Sequence, residues 1–151
     1  MSDRIEELLA KEDLQLASPK KRVAAFFLDE LFLAILVYAA LSGRFNPDNI
    51  ESFIIAMDKS FAFILVVVVL YHGIFTALYG ATLGKMAMRI RVVTIGLLDS
   101  PTYMESFLRA VVRVVGGSLF CLGLGLIWAF FDSDRQGWHD KAAKTLVINA
   151  A

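Results

Sequence analysis

The first long apolar run of the chain, 23–41, contains two acidic residues, Asp29 and Glu30. About 20 consecutive apolar residues carry a helix across a bilayer, and this run is close to that length. A carboxylate inside such a helix costs about 2.5–3.5 kcal/mol on insertion scales, and helix packing does not require one. We therefore expect a membrane helix in which Asp29 marks a functional site and Glu30 supports it.

A second apolar run, 60–79, predicts a second full transmembrane helix, in which His72 is the one clearly titratable side chain. Tyr71 is expected to anchor the end of this helix at the membrane surface. A third apolar segment, 113–131, is interrupted by glycines, and its most apolar part is short for a crossing. It is predicted either as a re-entrant hairpin, which we prefer, or as a full span. Hydrophobic residues make up 58% of the chain, more than soluble domains contain.

Two short segments outside these runs have the composition of β-strands. Residues 89–95 alternate in part between polar and β-branched residues, and residues 145–148 resemble them. We expect the two to pair as a ribbon outside the membrane. The fold class is then an all-α membrane protein with a small cytoplasmic two-stranded β element. An acidic cytoplasmic tail over 1–18, with a net charge of −3, precedes a membrane domain over 19–151.

The distribution of lysine and arginine predicts the topology. Thirteen of the 15 basic residues lie in the N-terminal region, in 85–113 or in 135–144, and only Arg44 and Lys59 lie between the first two spans. Basic residues favour the cytoplasmic side of a membrane. The N-terminus is therefore expected in the cytoplasm, with the first helix as an uncleaved anchor in the lipid bilayer. A cytoplasmic C-terminus is what favours the re-entrant hairpin.

Several classes of function are excluded or disfavoured. The formal net charge is zero, so binding to nucleic acid is not expected. The single Cys121 excludes an intrachain disulfide and a cysteine-based zinc site. His139 with Asp132 and Asp134 has no specific metal-ligand spacing, so no metal is expected. The chain lacks a phosphate-binding glycine loop and a nucleophile elbow. We expect no cofactor, no catalytic residue and no enzymatic activity.

The intramembrane carboxylate needs a neutralising partner, or it must be protonated. Arg22 lies on the same face of the first helix as Asp29, but roughly 10 Å away along its axis, which is too far for a direct pair. The candidates on other segments are two side chains of the second span region and two arginines of a later amphipathic helix; they are His72, Lys85, Arg109 and Arg113. We expect Arg109 and Arg113 to be the partners.

Three blocks of sequence resemble the RDD family of small bacterial integral membrane proteins. They are residues 22–29, residues 82–85 with 90–93, and residues 139–145. The family is named for one arginine and two aspartates. Arg22 and Asp29 match the first two, and Asp140 is assigned as the second aspartate, with Asp132 as the alternative. An apolar residue usually follows the first aspartate, so Glu30 departs from the family pattern.

The resemblance implies a multi-pass protein of the bacterial inner (plasma) membrane with a poorly defined role. One implied activity is transport, such as the exchange of a monovalent cation for a proton at Asp29. The alternative is a noncatalytic scaffold or accessory subunit that stabilises or regulates a larger membrane complex. The expected partners are accordingly a further copy of the chain or other membrane proteins.

Overall fold

The computed structural model describes residues 3–117 and 124–150, which form eight α-helices, a short 3-10 turn and two strands. In chain order the elements are α1 (Asp3–Lys11), α2 (Pro19–Leu41), the 3-10 turn (Ser42–Arg44), α3 (Ile50–Lys59), α4 (Phe61–Tyr79), α5 (Leu83–Ala87), β1 (Ile90–Thr94), α6 (Tyr103–Gly117), α7 (Leu124–Phe131), α8 (Trp138–Ala142) and β2 (Thr145–Asn149).

Two of the described helices, α2 and α4, are long and apolar enough to cross a membrane. Helix α2 begins as its sequence predicts: the Ser18 hydroxyl accepts a hydrogen bond from the Lys21 backbone N–H at 3.4 Å, and Pro19 takes the first helical position. Helix α4 ends at Gly80, whose φ of 66° is the left-handed conformation that glycine adopts readily. Only 22% of the most apolar stretch of each helix is buried in the protein, so most of this apolar surface faces outward. The prediction of two apolar helices of spanning length is confirmed.

The predicted strand pairing is also confirmed. Strands β1 and β2 form an antiparallel pair in which Ile90 lies opposite Asn149, and Thr94 opposite Thr145. Each strand follows a five-residue helix and one residue in the left-handed region, Arg89 with φ of 53° after α5 and Lys144 with φ of 52° after α8. The same local structure, a short helix that leads into a strand, therefore occurs twice.

A two-stranded ribbon is marginal in water, and here both of its faces are covered. One face packs against Ile5 and Leu9 of α1, in a cluster with Val93, Leu146 and Ile148. The other face packs against the residues that lead into and begin α2, in a second cluster of Ala17, Ala25, Ile90, Val92 and Val147. The acidic tail is thus helical over 3–11 and contributes apolar side chains to the sheet.

Helix α6 turns its polar side inward and its apolar side outward. Ser106 and Arg109 are buried, whereas Met104 and Val115 are exposed. The helix packs along α4, so closely that a Cβ atom on Gly73 would lie 2.7 Å from the Phe107 ring. A surface helix of a soluble protein has the opposite arrangement.

The third apolar segment is described only in part. Helix α6 continues to Gly117, and α7 covers Leu124–Phe131, while residues 118–123 of the predicted segment lie outside the described residues. Within the described ranges, α2 and α4 alone meet the length and hydropathy of a membrane span. A third full crossing therefore stays a prediction.

Candidate functional site

Asp29 is fully buried, and three uncharged groups donate hydrogen bonds to its carboxylate. The Tyr71 hydroxyl and the Gly84 backbone N–H each donate to Oδ1 at 2.8 Å, and the Thr82 hydroxyl donates to Oδ2 at 2.6 Å. These donors come from α4, from the start of α5 and from the residue before it. The carboxylate is therefore solvated by the protein instead of by water, as a buried polar group requires.

The approach of α5 to α2 depends on glycine at position 84. A Cβ atom there would lie 2.3 Å from the Ala25 backbone oxygen and 2.9 Å from the Asp29 carboxylate. Real Cβ atoms do not come so close to a backbone oxygen, so a larger residue would push α5 away from α2. The glycine thus lets a backbone N–H reach Asp29 directly.

Lys85 supplies the positive charge beside Asp29. Its Nζ lies 3.8 Å from Asp29 Oδ2 and donates a hydrogen bond to the Thr82 hydroxyl at 2.9 Å. Burial lowers the pKa of Lys85 well below 10.5, and the nearby charges of Arg109 and Arg113 lower it further, against the opposing effect of Asp29. The lysine therefore gives up its proton more easily than an exposed lysine does.

Asp140 is equally buried, but two guanidinium groups hold it. Arg22 forms a salt bridge with Oδ2, and Arg109 donates from Nε to Oδ1 at 2.9 Å. The Gly137 backbone N–H donates to Oδ2 at 3.0 Å. Burial alone would raise the pKa of Asp140, but the charges of Arg109 and Arg22 outweigh it and hold that pKa well below 3.8.

The predicted partners of Asp29 need correction. Arg109 binds Asp140, and Arg113 pairs with Glu30 at 3.4 Å, so the expectation that these two arginines neutralise Asp29 is wrong. Lys85, which was among the candidates, takes that place. Arg109 of α6 reaches Asp140 in α8, whereas α5 supplies the Gly84 N–H and Lys85 to Asp29.

The remaining predicted residues lie around these two carboxylates. His72 is buried in α4, its ring 5.0 Å from the Tyr71 ring, and its Nε2 has no hydrogen-bond partner in the described part of the chain. The Arg113 guanidinium lies 5.0 Å from the centre of the Phe26 ring, besides pairing with Glu30. His139 is buried beside Asp140, with Nε2 3.6 Å from Oδ1.

The two aspartates considered for the second family position have different surroundings. Asp140 is enclosed by Arg22 and Arg109, whereas Asp132 forms a salt bridge with the half-exposed Lys141. The described residues contain no group of three or more His, Cys, Asp and Glu side chains that could hold a metal ion.

Sequence reasoning did not identify the hydroxyl donors at Asp29. Tyr71 was expected as an anchor at the membrane surface, but its hydroxyl binds Asp29 and its side chain is buried. Thr82 and Gly84 lie in a block that the sequence analysis singled out, and a threonine and a glycine just before a short helix are the available signal. The sequence alone could not show that this block meets α2.

Comparison with known proteins gives two matches. The model of the RDD family matches residues 16–144, which is most of the chain. Uncharacterized protein RP437 of Rickettsia prowazekii (strain Madrid E) is 28% identical over 102 residues, and the match covers 68% of this chain and 56% of the relative. The chain thus spans about half the length of this relative. No solved structure matches the chain.

Proposed function

The chain belongs to the RDD family, and on that premise we propose that it is a multi-pass inner-membrane protein that exchanges a monovalent cation for a proton at Asp29. The observation that carries the proposal is the way Asp29 is held. A fully buried carboxylate has three neutral donors and one lysine whose proton is easily lost. Ionisable residues inside membrane helices commonly mark ion pathways and proton relays.

The chemistry follows from the Asp29–Lys85 pair. With the proton on Lys85, the ammonium neutralises the carboxylate across 3.8 Å. A small cation that contacts the Asp29 carboxylate and the Thr82 hydroxyl oxygen takes over that role, because hard cations prefer oxygen ligands. The charge of the cation disfavours a second positive charge next to it, so Lys85 releases its proton. Binding of one cation is thereby coupled to loss of one proton.

The positions of the chain ends support a topology in which the sheet lies on the cytoplasmic side. The Ala17 N–H, just before α2, donates to the Val147 oxygen in β2 at 2.9 Å. The Val92 N–H in β1 donates to the oxygen of Gly80, just after α4, at 2.7 Å. The chain thus leaves the sheet through α2 and returns to it through α4, and the basic N-terminal residues favour the cytoplasm for that side.

The same reasoning supports a re-entrant hairpin over a third crossing. Strands β1 and β2 are paired, so the segment between them begins and ends on one side of the membrane. An odd number of crossings in that segment is incompatible with this pairing. The outward apolar face of α6 is consistent with contact to lipid. Two membrane helices rarely enclose a transport pathway by themselves. The proposal therefore includes a homo-oligomer in the bilayer.

The test is cation-driven proton flux in proteoliposomes that contain the purified chain. A sodium gradient should drive proton movement with the wild type and with Asp58→Asn, since Asp58 is exposed on α3. Asp29→Asn should abolish the flux although the variant still inserts and unfolds cooperatively in detergent, at a moderately lower temperature than the wild type. Absence of flux with a correctly inserted wild-type chain would overturn the exchange proposal and favour the scaffold or accessory role.

A further inference from the structure

A small void lies between the two aspartate sites, and basic side chains surround it. It measures about 10 Å³ and is lined by Arg22, Lys85, Arg109, Arg113 and His139, with apolar contacts from Phe26, Ile90 and Val147. None of the described residues that line it is acidic. Asp29 and Asp140 pair with Lys85, Arg22 and Arg109 but are not among the residues that line the void.

The cations around the void outnumber the carboxylates that neutralise them. Arg22 and Arg109 share Asp140, and Lys85 lies near Asp29. Arg113 has Glu30 at 3.4 Å, and the Glu30 side chain is 45% exposed, so this pair is the weakest. With Lys85 protonated, four cations face three carboxylates, which leaves an excess of one positive charge. An uncompensated charge in a buried place is costly, and a bound anion removes that cost.

The void selects its occupant by size. A space of about 10–15 Å³, measured with a water-sized probe, holds one water molecule. Chloride is larger than a water molecule, so its binding requires the surrounding side chains to move outward, and sulfate, phosphate and gluconate are too large. A second, larger cavity of about 150 Å³ adjoins the void and is lined by Phe26, Glu30, Val68, Arg113 and Val114. Phe26 and Arg113 line both cavities, and the Arg113 guanidinium lies 5.0 Å from the centre of the Phe26 ring.

We infer that this void is a binding site for a single halide ion, chloride in the cell, held by Lys85 and Arg113 together with the free edges of the Arg22 and Arg109 guanidinium groups. Each guanidinium has five N–H donors in a planar fork, and Asp140, together with the Arg135 backbone oxygen in the case of Arg22, occupies only part of them. The lowered pKa of Lys85 agrees with the positive surroundings that an anion would offset. The anion would bind while Lys85 is protonated, which is the state before cation binding in the proposed exchange, and equilibrium binding can be measured whether or not the chain transports ions.

Chloride binding can be measured on the purified wild-type chain in detergent by the line width of the ³⁵Cl NMR signal, titrated at constant ionic strength with gluconate as the replacement anion. We expect a broadening that saturates with protein and that bromide competes away but sulfate does not. Thermal unfolding should shift upward in chloride relative to gluconate, since a ligand that binds only the folded state stabilises it. Absence of saturable broadening in the wild type would overturn the inference.

Two variants locate the ion, and one serves as a matched control. Lys85→Gln and Arg113→Gln should each weaken chloride binding by at least about tenfold, which corresponds to about 1.4 kcal/mol. Lys20→Gln removes an exposed positive charge outside the void and should bind chloride as the wild type does. If Lys85→Gln fails to fold, Arg113→Gln decides. Unchanged binding in the folded void variants would contradict the site, and an equal loss in Lys20→Gln would indicate unspecific attraction.

Discussion

Asp29 and Asp140 are both fully buried, but the protein holds them in different ways. Asp140 is fixed by two arginines, which keep their charge under all ordinary conditions. Asp29 is held by two hydroxyl groups, a backbone N–H and a lysine that loses its proton readily. The difference separates the roles of the two carboxylates. Asp140 joins α2, α6 and α8, whereas Asp29 is surrounded by groups that allow its charge to be balanced by a proton or by a cation.

The comparison extends to the short helices. Lys85 is the third residue of α5 and Asp140 the third residue of α8, and each short helix leads into a strand of the same pair. The same local structure thus presents a cation in one case and an anion in the other. Lys85 of α5 lies beside Asp29 at the candidate exchange site, and Asp140 of α8 binds one arginine from α2 and one from α6.

The largest expected effect on stability is that of Asp140→Asn. The substitution leaves Arg22 and Arg109 buried without their carboxylate, and breaking a buried ion pair in this way costs about 3–5 kcal/mol. The free energy of unfolding in detergent should fall by that amount, or the folded chain should not be recovered. Asp132→Asn is the matched control, since it breaks a pair with the half-exposed Lys141. Equal losses in both variants would refute the structural role of Asp140.

Gly84→Ala should destabilise the chain less than Asp140→Asn does. The new methyl group meets the Ala25 backbone oxygen and the Asp29 carboxylate, and such overpacking costs about 1–3 kcal/mol. The displacement of α5 should also remove the N–H donor from Asp29 and reduce flux. Gly43→Ala is the control, because a Cβ at Gly43 has nothing within 4 Å. A Gly84→Ala chain as stable and active as Gly43→Ala would contradict the close approach of α5 to α2.

Asp29→Asn should cost about 1–3 kcal/mol of stability, which is less than Asp140→Asn. The amide keeps the size of the side chain and can still accept hydrogen bonds at its oxygen, but its NH₂ group cannot accept the bond from one of the present donors. Thermal unfolding of both variants in the same detergent checks the order. An Asp29→Asn chain less stable than Asp140→Asn would reverse the comparison.

His139 should contribute to the pH dependence of stability near neutrality. Burial lowers the pKa of His139 well below 6.5, so below pH 6.5 the unfolded chain takes up a proton that the folded chain does not. Stability should therefore fall as the pH falls below 6.5, by up to about 1.4 kcal/mol per pH unit. The loss from Asp140 should begin only below its unfolded pKa of 3.8. His139→Gln should reduce the slope of the curve between pH 6.5 and 5, and an unchanged slope in that variant would contradict this assignment.

Glu30→Gln should have the smallest effect. The Glu30 side chain is 45% exposed and its contact with Arg113 is 3.4 Å long, and pairs of this kind contribute about 0–1 kcal/mol. Arg113 also keeps its contact with the Phe26 ring. Unfolding measurements should place this variant within about 1 kcal/mol of the wild type. A larger loss than in Asp29→Asn would make Glu30 the more important acidic residue of α2.

Much of the fold could be predicted from the sequence because its signals are local. The lengths of the two apolar runs indicate α2 and α4, the Ser18–Pro19 pair indicates where α2 begins, and the β-branched segments indicate β1 and β2. Asp29 could be identified because a carboxylate in an apolar run is costly.

The partners of the buried charges could not be predicted, because they depend on the path of the chain. Arg22 meets Asp140 across 118 positions, and Asp29 meets Gly84 across 55. Helical spacing restricts contacts within α2 but says nothing about which later segment covers it. The assignment of Arg109 to Asp29 failed for this reason, since α5 contacts Asp29 and Arg109 of α6 pairs with Asp140.

The central claim is that a bound cation replaces the Lys85 ammonium as the charge that neutralises Asp29, and that Asp140 undergoes no such change. Infrared difference spectroscopy of the purified chain, between buffers with and without sodium at constant pH, reports this change directly through the carboxyl bands. We expect a sodium-dependent carboxyl signal in the wild type and in Asp132→Asn that is absent in folded Asp29→Asn. A signal that persists unchanged in Asp29→Asn would contradict the account.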